Sequence, residues 1–210
     1  MKTLLDLEKW NRKEHFEHFR KMEEPFFGAT VEIDCTQAYQ TAKKSNASFF
    51  IFYLHKTLTA VNAVENFKYR ISEDKIYIND RIDASSTIGR EDGTFGFSLI
   101  EYHPDFKTFE ENALAEIKRV QNTKGLFTRS FDDDNLIHFS AIPWLNFTGL
   151  SHARSFTFPD SCPKISFGKM ITSETGKRTM AMSVHVHHGL MDGLHLGKFV
   201  DCFQEEMNKS

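Results

Sequence analysis

Cysteine is scarce in this chain: 210 residues include only three, Cys35, Cys162 and Cys202. An odd count without CxxC spacing speaks against a disulfide framework and against a structural zinc site, and makes a reducing cytoplasm the natural compartment. Long apolar runs are missing as well. No window of about 18 apolar residues occurs, so no membrane segment is expected. Met1 to Arg12 lacks the continuous apolar stretch of a leader, and a soluble, unprocessed protein is expected. A basic surplus is also absent. Lys plus Arg number 26 against 29 Asp plus Glu, a net charge of -3 with neutral histidines, which argues against a nucleic-acid partner. The charges are interspersed, as on a solvated surface. With no repeat, low-complexity run or clear linker, the length suits one domain, residues 1–210.

Phenylalanine is abundant, at 21 of 210 residues. Any single ring is best read as core. Pairs such as Phe26-Phe27 and Phe49-Phe50, beside turn signals, also suit the lining of an apolar ligand pocket.

Periodicity orders the chain. Glu8 to Met22 has helical spacing at Phe16 and Phe19, with Arg12 as a surface charge on its own showing, and Pro25 ends it. Phe26 to Ala29 reads as a turn, and Val31, Ile33 and Cys35 as a half-buried strand. Thr36 is the expected cap of a short helix through Lys44. Asn46 or Ser48 starts a second helix, Phe49 to about Val64, apolar on most faces and so buried. Tyr69 to Ile82 forms a hairpin about Ser72-Glu73-Asp74-Lys75. A second strand pair flanks Glu91-Asp92-Gly93. Phe106 to Gln121 is helical, Asn122 to Asp134 a connection and Leu136 to Ile142 a strand. After a loop from Asn146 to Ser161, Ile165 to Met170 and Thr179 to His187 are strands, and a final helix begins near Asp192. The class is α+β, a mixed sheet packed under helices.

Val184 to His195 concentrates the chemistry. Four of the ten histidines lie between His185 and His195, with Asp192, Gly189 and Gly193. Three readings compete. Metal binding needs converging ligands, yet on a strand His185 and His187 face one side and His188 the other, with no HExxH pattern. In the second reading the histidines are polar fillers at a strand-to-helix corner. The third reading is a general base at the strand end, its turn fixed by Asp192 capping the next helix, since imidazole titrates near neutrality.

His187-His188-Gly189-Leu190-Met191-Asp192-Gly193-Leu194-His195 resembles the His-His-x-x-x-Asp-Gly active-site signature of the chloramphenicol acetyltransferase family. That signature is shared with acyltransferase cores of 2-oxo-acid dehydrogenase complexes and, more loosely, with condensation domains. Trp10-Asn11-Arg12-Lys13-Glu14-His15-Phe16 resembles the family's Trp-x-Arg-x-x-x-Phe element. Phe139-Ser140-Ala141-Ile142-Pro143-Trp144 with Asn146-Phe147 resembles its Ser-Ala-x-Pro-Trp-x-Asn-Phe segment, and Ile165-Ser166-Phe167-Gly168-Lys169 sits where the family has a small hydroxyl residue before Gly or Ala and Lys. The matches span essentially the whole chain.

The resemblance implies a two-layer α/β sandwich assembled as a homotrimer, using acetyl-CoA as co-substrate and no metal. It assigns His188 as the base that deprotonates a primary hydroxyl of chloramphenicol, Ser140 as the oxyanion donor, and Ser166, or a water it holds, as an aid at the same intermediate. Asp192 would pair with Arg12 to anchor the base-bearing turn. Phe19, Phe27 and Phe95 would line the acceptor pocket, which the neighbouring subunit largely builds, and His185 would be a bystander. The chain departs from the family at Phe19, commonly Tyr, at Pro25-Phe26, commonly small or Cys, at His185, often Gln, and at Leu194, often Phe. The bulk of Phe26 is expected to reshape the pocket. Besides chloramphenicol acetylation, which implies antibiotic resistance, two alternatives stand: transfer to another small hydroxyl or amine acceptor, and a silent relative that only binds an aromatic ligand.

Overall fold

A computed structural model of the chain describes residues 1–131, 134–155 and 160–209; residues 132–133 and 156–159, which belong to the two long expected connections, lie outside the described residues. Its scaffold is a seven-stranded mixed sheet. The path β2 (Phe26–Asp34), β10 (Arg178–His187), β8 (Lys164–Phe167), β7 (Leu136–Ala141), β5 (Asp83–Gly89), β6 (Phe95–Phe97) is extended by the short β9 (Ile171–Thr172) on β10. β5, β7 and β8 run parallel, and the remaining pairs are antiparallel. Three further strands, β1 (Lys2–Leu4), β4 (Lys75–Asn79) and β3 (Tyr69–Ser72), form a separate small sheet.

Strand alternation sorts the two faces of the main sheet. Ile137 and Phe139 of β7, Ile165 and Phe167 of β8, and Met182, Val184 and Val186 of β10 join one buried cluster with residues of the helices α2 (Thr36–Lys44), α3 (Phe49–Ala63), α4 (Phe106–Gln121) and α5 (Gly193–Asn208). The intervening residues, His138 and Ser140, Lys164 and Ser166, Ser183, His185 and His187, therefore occupy the opposite face. α3 is buried from Ile51 to Val61 on nearly every side, as its apolar sequence requires. Phe139, Phe167, Phe199 and Phe203 are each no more than 1% exposed. Such a ring contributes about 1.5–3 kcal/mol by burial, an upper figure because unfolded chains already hide some area.

A second cluster forms at the amino-terminal end. Phe16 of α1 (Lys13–Phe19) packs with Tyr69, Ile76 and Leu190, and Trp10 lies edge-on to Tyr69 at 5.7 Å. This cluster ties the small sheet to the turn after β10, because Leu190 belongs to that turn. Arg70 completes the tie. Fully buried, it donates to the carbonyls of Phe67, Tyr69, Asp134 and Leu136 at 2.5–2.9 Å.

Three sequence expectations need correction. Phe26 to Ala29 is not a turn but the start of β2, where Phe26 pairs with His187 and Phe27 with Val186; cross-strand pairing overrides the local glycine signal. α1 is confined to Lys13–Phe19, so Trp10 and Arg12 precede it. Thr36 does not cap α2: Cys35 holds that position, and the Thr36 amide donates to the Asp34 carboxylate at 2.9 Å.

Replacing Arg70 by Met strands four buried carbonyls. The expected loss is about 3 kcal/mol or more of unfolding free energy, since each unpaired buried group costs about 1–3 kcal/mol. Urea unfolding followed by circular dichroism measures it; an unchanged midpoint contradicts the role given to Arg70.

Candidate active site

β10 delivers two adjacent histidines into different surroundings. His187 is 4% exposed, lies edge-on to Phe26 at 5.7 Å, and accepts the Gly189 amide on Nδ1 at 3.1 Å. Burial, reinforced by the charge of Arg154, pushes its pKa down to about 4, so at neutral pH it is an uncharged acceptor.

His188 opens the turn. Its amide donates to the Pro25 carbonyl at 2.8 Å, and its carbonyl accepts from Arg12 Nη2 at 3.3 Å. The imidazole stacks on Phe19, centroids 3.8 Å apart and planes 4° from parallel, while Phe27 lies 4.4 Å away at 40°. Nδ1 is closed off from solvent without a hydrogen-bond partner, which leaves Nε2 as the nitrogen free to exchange a proton. The two rings restrict where the imidazole can turn.

Asp192 fixes the far side of the turn. As N-cap of α5 its Oδ1 accepts the Leu194 amide at 3.0 Å and lies 2.8 Å from His195 Nδ1, while Oδ2 accepts from Arg12 Nη1 at 2.5 Å. Burial alone would raise the Asp192 carboxyl, but hydrogen bonds and charge from Arg12 and His195 outweigh it and hold the pKa at about 2. The Arg12 side chain is 9% exposed and that of Asp192 32%, so the pair is half-buried. Breaking it is expected to cost roughly 1–3 kcal/mol, below the 3–5 kcal/mol of a fully buried pair.

The other sequence-selected residues lie elsewhere. Ser140 of β7 is half-buried, with Oγ 3.4 Å from Thr87 Oγ1 of β5. Its backbone is in register with Ser166 of β8, which in turn is in register with Ser183 of β10. The Ser166 hydroxyl is buried without a partner. Phe95, 46% exposed, belongs to a ring series with Phe97 and Phe127, and Phe97 pairs with Thr87. Hence His188, Asp192, Arg12, Phe19 and Phe27 gather at the β2–β10 end, and Ser140 and Phe95 at the β7–β5–β6 end.

Sequence reading missed Thr87 beside Ser140, with Phe97 paired to Thr87 and Phe127 to Phe97, and the Pro25 carbonyl beside His188. The Phe26 ring contacts His187 and Arg154, while Phe27 meets His188. No metal site was expected. Among the described residues, His138, Asp160 and Cys162 bring ligand atoms within 4.8 Å of one another. The Asp160 carboxylate is already engaged by Lys164 Nζ and the Cys162 amide.

A strand-end histidine locked on a capped turn, above a mixed sheet with helices on one face, is built on the fold of acetyltransferase catalytic cores. A probable dihydrolipoamide acetyltransferase from Listeria monocytogenes superposes with a TM-score of 0.66 at 15% identity, covering 92% of this chain and 88% of that one. The sequence is more specific: the family model described as chloramphenicol acetyltransferase matches residues 1–204, and the chain belongs to that family. Chloramphenicol acetyltransferase 3 of Escherichia coli is 29% identical over 208 residues, 98% of this chain and 97% of that protein. A Klebsiella chloramphenicol acetyltransferase is 28% identical over 204 residues, 97% of this chain and 92% of that protein. A solved chloramphenicol acetyltransferase structure superposes with a TM-score of 0.90 at 33% identity, covering 99% and 100% of the two chains.

The depressed pKa of Asp192 sets a pH signature. The stability it confers is fully present above the unfolded carboxyl value near 4 and is lost as pH falls through about 2. Denaturant titrations of wild type and Asp192→Asn should therefore differ most near pH 6 and converge toward pH 2. A gap that persists unchanged at acid pH would remove the ion pair as its source.

Proposed function

We propose that the protein is an acetyl-CoA-dependent O-acetyltransferase that acetylates a primary hydroxyl of chloramphenicol, acting in the cytoplasm as one domain per chain and conferring resistance to the drug. The observation that carries the reading is the geometry of His188: one ring, sandwiched by Phe19 and Phe27 on a turn locked by Arg12 and Asp192, with Nδ1 shut away. Among the described residues no helix is long and apolar enough to cross a membrane.

The chemistry follows from that ring. His188 Nε2 accepts the hydroxyl proton as the alcohol oxygen bonds to the thioester carbonyl carbon, a contribution of about 10²- to 10⁴-fold. The carbonyl oxygen becomes an oxyanion that accepts a hydrogen bond from the Ser140 hydroxyl, with Ser166 behind it. Collapse breaks the carbon–sulfur bond, and the departing thiolate takes the proton back from the imidazolium. Direct transfer suits the cysteines, none of which is a ready nucleophile: burial pushes Cys35 up to about 12 and raises Cys162 and Cys202.

One chain does not complete this site. Ser140 is in register with Ser183 through Ser166, and His188 lies five residues beyond Ser183. At the strand rise and spacing of β-sheets that separates Ser140 from His188 by roughly 20 Å, whereas both must reach one reacting centre within about 3 Å. A second copy supplying Ser140 and its phenylalanines to His188 removes the conflict. We take the assembly to be a homotrimer in which each site is shared.

Purified protein given acetyl-CoA and chloramphenicol should release free thiol. His188→Ala should abolish release, and Ser140→Ala should lower kcat by about 10²- to 10³-fold. Wild-type protein that releases no thiol above background defeats the drug assignment.

Sedimentation equilibrium should give three times the 24.3 kDa chain mass. Active protein at the mass of one chain would sink the shared site.

A further inference from the structure

Residues 125–128 lie beyond β6 as one more segment along its edge. The Phe97 amide donates to the Leu126 carbonyl at 2.9 Å, and Phe127 forms a parallel bridge with Phe97. Two arginines fasten the segment. Arg90 Nη2 donates to the Gly125 carbonyl at 2.7 Å, while its Nε reaches the Val120 carbonyl of α4 at 3.2 Å. Gly96 leaves room for that crossing, since a Cβ there would lie 2.3 Å from Arg90 Nη2 and 2.9 Å from Val120 Cγ1. At the other end Arg119 Nη1 donates to the Thr128 carbonyl at 3.1 Å and Nη2 to its hydroxyl at 2.9 Å. The hydroxyl extends the link, donating to the Phe97 carbonyl at 3.0 Å.

Glu116 of α4 holds Arg119 in that pose. Its Oε2 accepts from Arg119 Nε at 2.6 Å and its Oε1 from Nη2 at 2.8 Å, with the Leu99 amide on Oε1 at 2.9 Å and Arg129 Nη1 3.7 Å away. Burial would raise the Glu116 carboxyl, but Arg119 and the Leu99 amide outweigh it and keep its pKa below the ordinary value. A guanidinium gripped on a carboxylate by two parallel bonds keeps little freedom. Its other edge therefore meets Thr128 as a fixed pair of donors.

The ring carried by this clamp is open to a ligand. Phe127 is 69% exposed, 5.3 Å from the Phe97 ring and tilted to it at 41°. Phe97 stands opposite Thr87, and Thr87 Oγ1 is 3.4 Å from Ser140 Oγ, so Ser140, Thr87, Phe97 and Phe127 form one row across the sheet. The row spans three strand spacings, roughly 14 Å. We infer that Glu116 and Arg119 are positioning residues for acceptor selection: through Thr128 they hold Phe127 against Phe97 at the far end of the row, so that an acceptor with its hydroxyl at Ser140 meets a fixed pair of rings. This rests on the acetyltransfer reading and adds to it a control of acceptor affinity from the helix-covered side of the sheet.

The test uses Thr128→Val, which keeps the shape and removes the hydroxyl, beside Thr128→Ser, which keeps the hydroxyl. Thiol-release kinetics should show Thr128→Val raising KM for chloramphenicol about fivefold, the worth of one neutral hydrogen bond, with KM for acetyl-CoA and the sedimentation mass as in wild type. Arg119→Met should raise the same KM at least as much, and Thr128→Ser should stay near wild type. Phe127→Ala should also raise it, and adding Thr128→Val to Phe127→Ala should bring no further loss, because the hydroxyl acts through the ring. Amide hydrogen exchange reads the clamp without the reaction: Thr128→Val should speed exchange at the Phe97 amide and leave the β10 amides protected. Additive losses in the double variant, a parallel rise in both KM values, or unchanged exchange at Phe97 overturns the positioning role. Wild type that neither binds chloramphenicol by calorimetry nor releases thiol with it defeats the drug assignment, and exchange at Phe97 then decides the clamp separately.

Discussion

A guanidinium and a carboxylate 180 residues apart hold the corner between β10 and α5 together. Arg12 reaches out of the segment before α1 to Asp192 with Nη1 and to the His188 carbonyl with Nη2, so one side chain spans both ends of the turn. Neither contact works without the other. The carboxylate supplies the charge that makes burying Arg12 tolerable, and the carbonyl contact ties that charge to the residue carrying the imidazole. The packing of α1, the capping of α5 and the stacking of Phe19 on His188 all converge on this bridge. Around it the second hydrophobic cluster, Phe16 with Tyr69, Ile76 and Leu190, excludes water and holds α1 against the turn.

The sheet decides what one chain can and cannot do. Cross-strand register puts Ser183, Ser166 and Ser140 in one row and His188 well beyond its end. The helices cover the opposite face, while on this one Ser166, Ser183 and His187 are buried and Ser140 and His185 are half-buried. The proposed reaction, which needs a base and an oxyanion donor at one carbon, would thereby be coupled to assembly.

Much of this was legible in the sequence wherever a strong period or a strong local signal operated. The α4 span is the predicted one because Phe109, Ala113 and Val120 keep helical spacing and are buried. The first hairpin turns where Glu73 and Asp74 take positive φ, as the polar tetrapeptide indicated. Three-residue β1 carries no alternation long enough to read, with all its residues exposed. β2 begins earlier than its pattern because Phe26 and Phe27 face opposite sides and look like a hydrophobic pair until their partners on β10 are known. At the site, His188, Asp192 and Arg12 were marked by motif and resemblance. Arg154 beside Phe26 was not, since its partners, Glu24 and Phe26, lie more than a hundred residues away in the chain.

The paired histidines show why composition alone leaves roles open. Side by side, they share a pKa near 6.5 in water. Folding divides them by what each ring faces. His187 is enclosed by Phe26 and the turn, with Arg154 close by, and both burial and charge oppose its protonation. A charged His187 would also lose the Gly189 amide bond at Nδ1, because a protonated nitrogen no longer accepts. Neutrality at that position therefore preserves the bend that points the next residue outward. His188 sits one residue past the strand, where the backbone bonds to Pro25 and Arg12 leave its ring half-exposed between two phenylalanines. The first imidazole is kept neutral, and that neutrality holds the turn on which the second is carried.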